Sequence, residues 1–336
     1  MDKGEKKLST IKDISRKCHV SISTVSRALN GYNDINEETK ELVLRTAKEL
    51  DYIPNKHARE LVKRNSNHLV IITKALNEQD NLFQILRGLY SYGEKFNYSV
   101  SLFTLGTSIK CGKSYYKFCR ENNIAGALLY GIHTNDPYIK ELIDKKFPTV
   151  MIDCEITGEK VANISINNFK AAYEAVSHMI NNGCKNIKTI QGGEGSYVTK
   201  ERVKGYIKAL EDNNIKVKKE DIYYGNFSKE FGEKTIKKII KNKGVDGIFC
   251  GADSIAIGVY QGLNTLNINI PTEISVVGFG DIEMAEYLSP ALSTIRQSMY
   301  NFGYEGGKVL DKLIKDEEVK KIVRLEHEFI KRRSVR

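Results

Sequence analysis

"RKCHVSISTVSRALNG", Arg16 to Gly31, sets a cysteine against a histidine and follows them with a run of hydroxyls. Two readings compete: a reactive or metal-binding pair, or the bend between two short helices. The surrounding spacing favours the bend. Thr10 with Asp13 three residues on has the form of a capping box, and Ile11, Ile14 and Cys18 then recur at helical intervals, which puts Cys18 on a buried stripe. Ser21 caps a second helix whose Val25, Ala28 and Leu29 turn inward while Ser23, Thr24 and Arg27 turn out. Asn30-Gly31 ends it. Asn36, followed by Glu37 and Glu38, opens a third helix that buries Leu42, Val43, Thr46, Ala47 and Leu50. A tight turn between two short helices, the second presenting Ser, Thr and Arg, matches a helix-turn-helix whose second helix enters the major groove of DNA. An ordinary helical subdomain is the competing reading. His19 occupies the turn itself, and a positive φ there carries some strain, although histidine tolerates it better than most residues.

Beyond the third helix the texture changes. Tyr52 to His68 is polar, basic and broken by Pro54, as a domain linker is. From Leu69 short apolar runs alternate with amphipathic stretches. The runs are 69–73, 99–105, 126–131, 149–153, 186–192, 246–251 and 274–279. Continuous apolar strands separated by helical patterns imply parallel sheets covered on both faces, an α/β architecture.

A chain of 336 residues suits two or three domains. The net charge of +10 points to a polyanionic partner, weakly, because a Lys/Ile/Asn-rich composition accounts for part of it. Residues 1–66 carry 14 Lys/Arg against 10 Asp/Glu, so the positive excess is denser there. Six scattered cysteines without a C-x-x-C pair read as buried thiols in a reducing compartment. No apolar run approaches 18 residues and no signal segment opens the chain, so a soluble, cytoplasmic protein without a membrane partner is expected.

Several motifs carry less than they suggest. "GTSIKCGKS" (106–114) has five residues where a phosphate-binding P-loop needs four before Gly-Lys-Ser. "QGGEGS" (191–196) and "GFGD" (278–281) lack dinucleotide spacing, but both follow expected strands, where open α/β sheets bind small molecules. The six histidines form no metal-ligand spacing, and no nucleophile is supplied with a base. Neither metal, cofactor nor enzymatic activity is expected.

"TIKDISRKCHVSISTVSRALNG…INEETKELVLRTAKELDYIPN" strongly resembles the DNA-binding domain of the LacI/GalR (lactose/galactose repressor) family of bacterial transcription regulators. "HARELVKR" looks like that family's hinge helix, and "ERVKGYIKAL", "GADSIAIG", "IPTEISVVGFGD" and "YLSPALSTIRQ" follow in the family's order, so the resemblance covers nearly the whole chain. It implies a helix-turn-helix headpiece over 1–54, a hinge helix or linker over 55–66, and an effector-binding and dimerisation domain over 67–336. That domain would be an α/β core of two doubly wound parallel-sheet lobes of the type I periplasmic-binding-protein kind. The first lobe would span about 67–166 and 298–325, the second about 167–297 and 326–336.

The resemblance also implies roles. Ile22, Ser23 and Arg27 would read bases, while Thr10, Ser21, Thr24, Asn30, Asn36 and Thr39 would hold phosphates. Leu61 would wedge into the minor groove with Ala58 beside it, the alternative being hinge-to-hinge packing. Asp153, Arg202 and Phe227 would line an effector cleft, each with a structural ion pair or core packing as its alternative. Asp253 and Asp281 belong to the same cleft, but Ala252 and Gly280 stand where many relatives have polar Asn or Asp. Lys74 would add a cation, which favours an anionic ligand such as a sugar phosphate, the alternative being a solvated lysine. A homodimer on a pseudo-palindromic double-stranded operator, repressing a carbohydrate-utilisation operon under allosteric control by a small carbohydrate effector, is the implied function. A global carbon regulator controlled by a phosphorylated protein partner is the alternative.

Overall fold

The computed structural model describes residues 9–32, 34–52, 66–74, 81–105, 114–132, 136–241 and 244–336. The chain divides into two compact units, 1–66 and 67–336. The expected minor-groove residues Ala58 and Leu61, and the loop 106–113 with its imitation of a P-loop, lie outside the described residues.

In the first unit, helices begin where polar caps stand. α1 (Ile11–Cys18) opens with the Asp13 carboxylate accepting the Thr10 N–H at 2.8 Å. α2 (Ile22–Leu29) opens with the Ser21 hydroxyl accepting the Thr24 N–H at 3.1 Å. α3 (Glu37–Glu49) opens with the Asn36 side chain accepting the Glu38 N–H at 2.9 Å. Each bond satisfies an amide near the helix start that has no partner further up the helix. Ile14, Cys18, Val25, Ala28, Val43 and Ala47 close a small core. His19 stops α1 in the left-handed region, at φ 54° and ψ 35°, with its imidazole exposed. Cys18-His19 is therefore a core residue followed by a helix stop.

The second unit holds two parallel sheets. The larger runs β11-β5-β4-β3-β1-β2 and uses β1 (His68–Thr73), β2 (Ser99–Thr104), β3 (Gly126–Tyr130), β4 (Thr149–Ile152), β5 (Val161–Ile166) and β11 (Ile322–Leu325). The smaller runs β7-β6-β8-β9, from β6 (Ile187–Gln191), β7 (Ile222–Tyr224), β8 (Gly247–Cys250) and β9 (Ser275–Val277). Every pairing in both sheets is parallel. Helices α4 (Leu82–Phe96) and α12 (Met299–Ile314) pack together against the larger sheet. A Cβ at Gly303 would fall 1.9 Å from the Ile85 carbonyl oxygen, so glycine is what lets these two helices approach so closely. α5 (Tyr115–Glu121) and α6 (Ile139–Asp144) cover the opposite face. Around the smaller sheet lie α7 (Asn168–Asn181), α8 (Tyr197–Asp212), α9 (Lys229–Ile239), α10 (Asp253–Thr265) and the short α11 (Met284–Tyr287).

The chain passes between the sheets three times: from β5 into α7, from β10 (Thr294–Gln297) into α12, and from β11 into β12 (His327–Ile330). β10 and β12 pair antiparallel. The result is two α/β lobes joined by three crossings.

Each of the seven apolar runs contains a strand, but five further described strands (β5, β7, β10, β11 and β12) do not read as apolar runs. β5 shows why. Its six residues "VANISI" are all buried, yet Asn163 and Ser165 interrupt the apolar pattern. Tertiary partners meet them in part: Asn163 Oδ1 accepts from Arg324 and Ser165 donates to Asp153, while Asn163 Nδ2 has no partner among the described residues.

Candidate nucleic-acid interface and effector cleft

The packing of α2 divides its residues by face. Val25 and Ala28 are buried, which leaves Ile22 (44% exposed), Ser23 and Arg27 on the open side. At the start of the helix the Ser21 hydroxyl lies 2.7 Å from that of Ser23 and 2.8 Å from that of Thr24, a compact cluster of small donors. Arg27 is ion-paired with Asp34, and its guanidinium lies 5.7 Å from the Tyr32 ring centroid. Both members of the pair are half exposed. Such a pair is worth about 0–1 kcal/mol, against about 1–3 kcal/mol for a good bidentate arginine–guanine contact. Asp34 therefore holds the Arg27 guanidinium only loosely. Among the expected phosphate contacts, Thr10 donates to the Asp13 carboxylate at 2.7 Å and the Asn30 amide donates to the Ser26 carbonyl at 2.8 Å, so both also serve the local fold. Thr39 is half-buried.

In the second unit the C-terminal strand ends of the two lobes meet. Asp153 follows β4 in the larger sheet, in the left-handed region at φ 54°. Ser165, on neighbouring β5, donates to its carboxylate at 2.5 Å. Opposite stands Arg202 of α8, whose side chain is buried: Nε donates to Asn168 Oδ1 at 2.9 Å, Nη1 donates to the Gly251 carbonyl at 2.5 Å, and the guanidinium lies 3.6 Å from the Phe279 ring centroid. Burial pulls the Arg202 guanidinium down to about 10, with the Asp153 carboxylate opposing that shift. Burial pushes the Asp153 carboxyl up against the pull of Ser165 and Arg202. Phe227 is 38% exposed and its ring lies on Gly192, where a Cβ would fall 2.2 Å from it.

The other expected residues behave differently. Asp253 is buried, takes the Thr294 hydroxyl at 2.6 Å and the Ile282 N–H at 2.9 Å, and burial raises it to about 6. Asp281 pairs with Arg296 at 2.6 Å and Arg332 at 2.7 Å. Both carboxylates thus brace loops of the smaller sheet. Lys74 is exposed just past β1.

Reading the sequence missed the groups that complete the cleft. Arg324 on β11 donates to Asn163 Oδ1 at 3.2 Å and, across to the other lobe, to the Tyr197 hydroxyl at 3.0 Å. Gln191 and Gln297, at the ends of β6 and β10, are buried with an Oε1 that meets no donor among the described residues. The polar interruptions of β5 were the available signal. Among the described residues, no group of three or more His, Cys, Asp or Glu side chains could hold a metal ion, and no helix is long and apolar enough to cross a membrane.

A helix-turn-helix unit followed by a two-lobed α/β unit is the build of a DNA-binding transcriptional regulator. The family model "Bacterial regulatory proteins, lacI family" matches residues 10–55, and that of a "Periplasmic binding protein-like domain" matches residues 176–335. The chain is 33% identical over 315 residues to the HTH-type transcriptional regulator RegA of Clostridium acetobutylicum, covering 92% of this chain and 94% of the relative. It is 30% identical over 335 residues to the HTH-type transcriptional repressor PurR of Vibrio vulnificus, covering 98% and 99%. The solved Lac repressor bound to ONPG in its repressed state superposes with a TM-score of 0.81 at 21% identity, over 98% of this chain and 100% of that one. The chain belongs to the lacI family of bacterial regulatory proteins, and it is a transcriptional regulator, not an enzyme.

Proposed function

We propose that this protein represses a carbohydrate-utilisation operon. A homodimer would bind a pseudo-palindromic operator, and a small sugar or sugar phosphate seated between the lobes would control that binding. The observation that carries the reading is the pairing of two unlike sites in one chain. On α2, Ile22, Ser23 and Arg27 share one exposed face, as readout of base edges in the major groove requires. Between the lobes, Asp153, Arg202 and Phe227 stand where strand ends face each other, as a pocket for a small polyhydroxylated ligand requires. A ligand bound to both lobes favours one lobe arrangement, and a coupling between that arrangement and DNA binding is how it would act. That PurR is a transcriptional repressor is in keeping with repression, and the ONPG held by the solved Lac repressor with a small ligand.

Gel-shift titration of the palindromic DNA upstream of the protein's own gene, with and without a panel of sugars, tests it. The expected result is a shift that one sugar strengthens or abolishes, with R27A weakening it by about 10- to 100-fold as loss of one bidentate base contact predicts. No shift on any such palindrome would overturn the reading.

A further inference from the structure

The charges around the cleft do not balance, and the imbalance points to its ligand. On the cation side, Arg202 is matched by Asp153, which sits close enough to hold its charge. Arg324 shares that same carboxylate at longer range: its guanidinium donates to an amide oxygen and a phenol, and it forms no ion pair among the described residues, so two arginines face the one Asp153. Lys74 likewise forms none among the described residues. On the acid side, Asp253 is taken by Thr294 and Ile282, and Asp281 by two arginines. Glu201 bonds Lys204 at 2.6 Å. That leaves Glu155, exposed and without an ion pair among the described residues; burial first, then Glu201, Asp153 and last Glu155 push the Tyr197 phenol up against the pull of Arg324.

The position of Arg324 is built. It sits in register with Ser165, whose hydroxyl is bonded to Asp153. Asn163, which orients it, is 1% exposed and keeps an Nδ2 without an acceptor among the described residues. Tyr197, on the far side, is the first residue of α8, the helix that also carries Arg202. Arg324 thus reaches from one lobe to the other beside Asp153. A guanidinium bonded only to neutral oxygens gains most by exchanging one of them for an anion, since charge-assisted bonds are about twice as strong as neutral ones.

Resting on the reading of this cleft as the effector site, we propose that the effector is an anionic sugar, and that Arg324 holds its carboxylate or phosphate in place of the Tyr197 hydroxyl. The anion then bridges the lobes, which makes Arg324 the residue that sets preference for charged over neutral sugars.

Calorimetric titration of the full-length protein with D-glucose and D-galactose, their uronates and their 6-phosphates tests this and separates the two anion sources. At least one anionic member binds ten-fold or more tightly than its neutral parent, and its affinity falls as NaCl is raised. R324Q removes that preference by weakening the anion ten-fold or more with little change in Tm, R324K restores part of it, and E155Q tightens the anion a few-fold. A neutral hexose binding as tightly as its anionic forms, or R324Q keeping the preference, overturns the proposal and leaves the cleft intact as a sugar site. Failure of every member to bind overturns both. An anion that binds through Arg324 without affecting operator binding upholds the proposal and defeats the regulatory reading.

Discussion

The two units of this protein treat charge in opposite ways. In the helical unit the ion pairs Arg16–Asp13, Lys17–Glu49 and Arg27–Asp34 all lie at the surface, over a core of six small or medium apolar side chains. In the α/β unit Arg202 and Asp253 are almost wholly inside, and Asp153 beside them is half-buried. The difference follows from how much interior each unit has. The small helical unit leaves its charged side chains in water, where they exchange partners at little cost. The α/β unit has a large interior, where an unmatched charge costs several kcal/mol, so Arg202 and Asp253 are held there by fixed partners. One unit keeps its polar groups exchangeable, and the other locks them in place.

If that contrast is correct, substitutions at buried charges of the α/β unit outweigh one at the strained turn of the helical unit. The largest effect belongs to R202A. It takes away one of the two arginines that Asp153 feels and leaves Asn168 Oδ1 and the Gly251 carbonyl without their buried donors, so urea unfolding of the α/β unit loses about 3–5 kcal/mol. A loss below about 1 kcal/mol would break the contrast at its centre.

D253N comes next and carries a pH signature. The Asp253 carboxyl lies at about 6 in the folded protein, above its ordinary value near 3.9. Folding therefore favours the protonated form, and that contribution is complete below the unfolded value and lost as pH rises through about 6. The asparagine side chain of the variant does not titrate, so the stability of D253N relative to the native chain should rise by roughly 2 kcal/mol between pH 4 and pH 7.5. Parallel stability curves across that range would show that Asp253 stays charged in its pocket.

The smallest effect is expected at H19G. The left-handed backbone at His19 is strained by about 1 kcal/mol, and the extra freedom glycine has when unfolded offsets much of the relief. Thermal melts of the helical unit should show stability unchanged or slightly raised. A fall above about 1 kcal/mol would give the imidazole a specific partner and make this turn as firmly held as the buried sites.

The helical unit was legible residue by residue. The caps at Ser21 and Asn36, the buried positions of α3 and the outward face of α2 all follow from contacts within a few residues, and such contacts leave a periodic trace in the chain. The α/β alternation was legible for the same reason. The strand β5 was not, because Asn163 and Ser165 break its apolar run, and Arg324 and Asp153, which meet them in part, come from elsewhere in the chain. Likewise the two carboxylates Asp253 and Asp281 look alike in the sequence, and nothing local says that one takes a hydroxyl and an amide while the other takes two arginines.

By itself, then, the sequence determined the family, the order of elements and the side of α2 that faces outward, because caps, turns and hydrophobic period are short-range effects. Only the tertiary structure decided which charges of the cleft are matched within the protein and which are left for a ligand. Arg324 and Tyr197 stand 127 residues apart and meet because the chain crosses between its lobes three times. A contact made by chain crossing depends on how both lobes pack, so no local pattern encodes it.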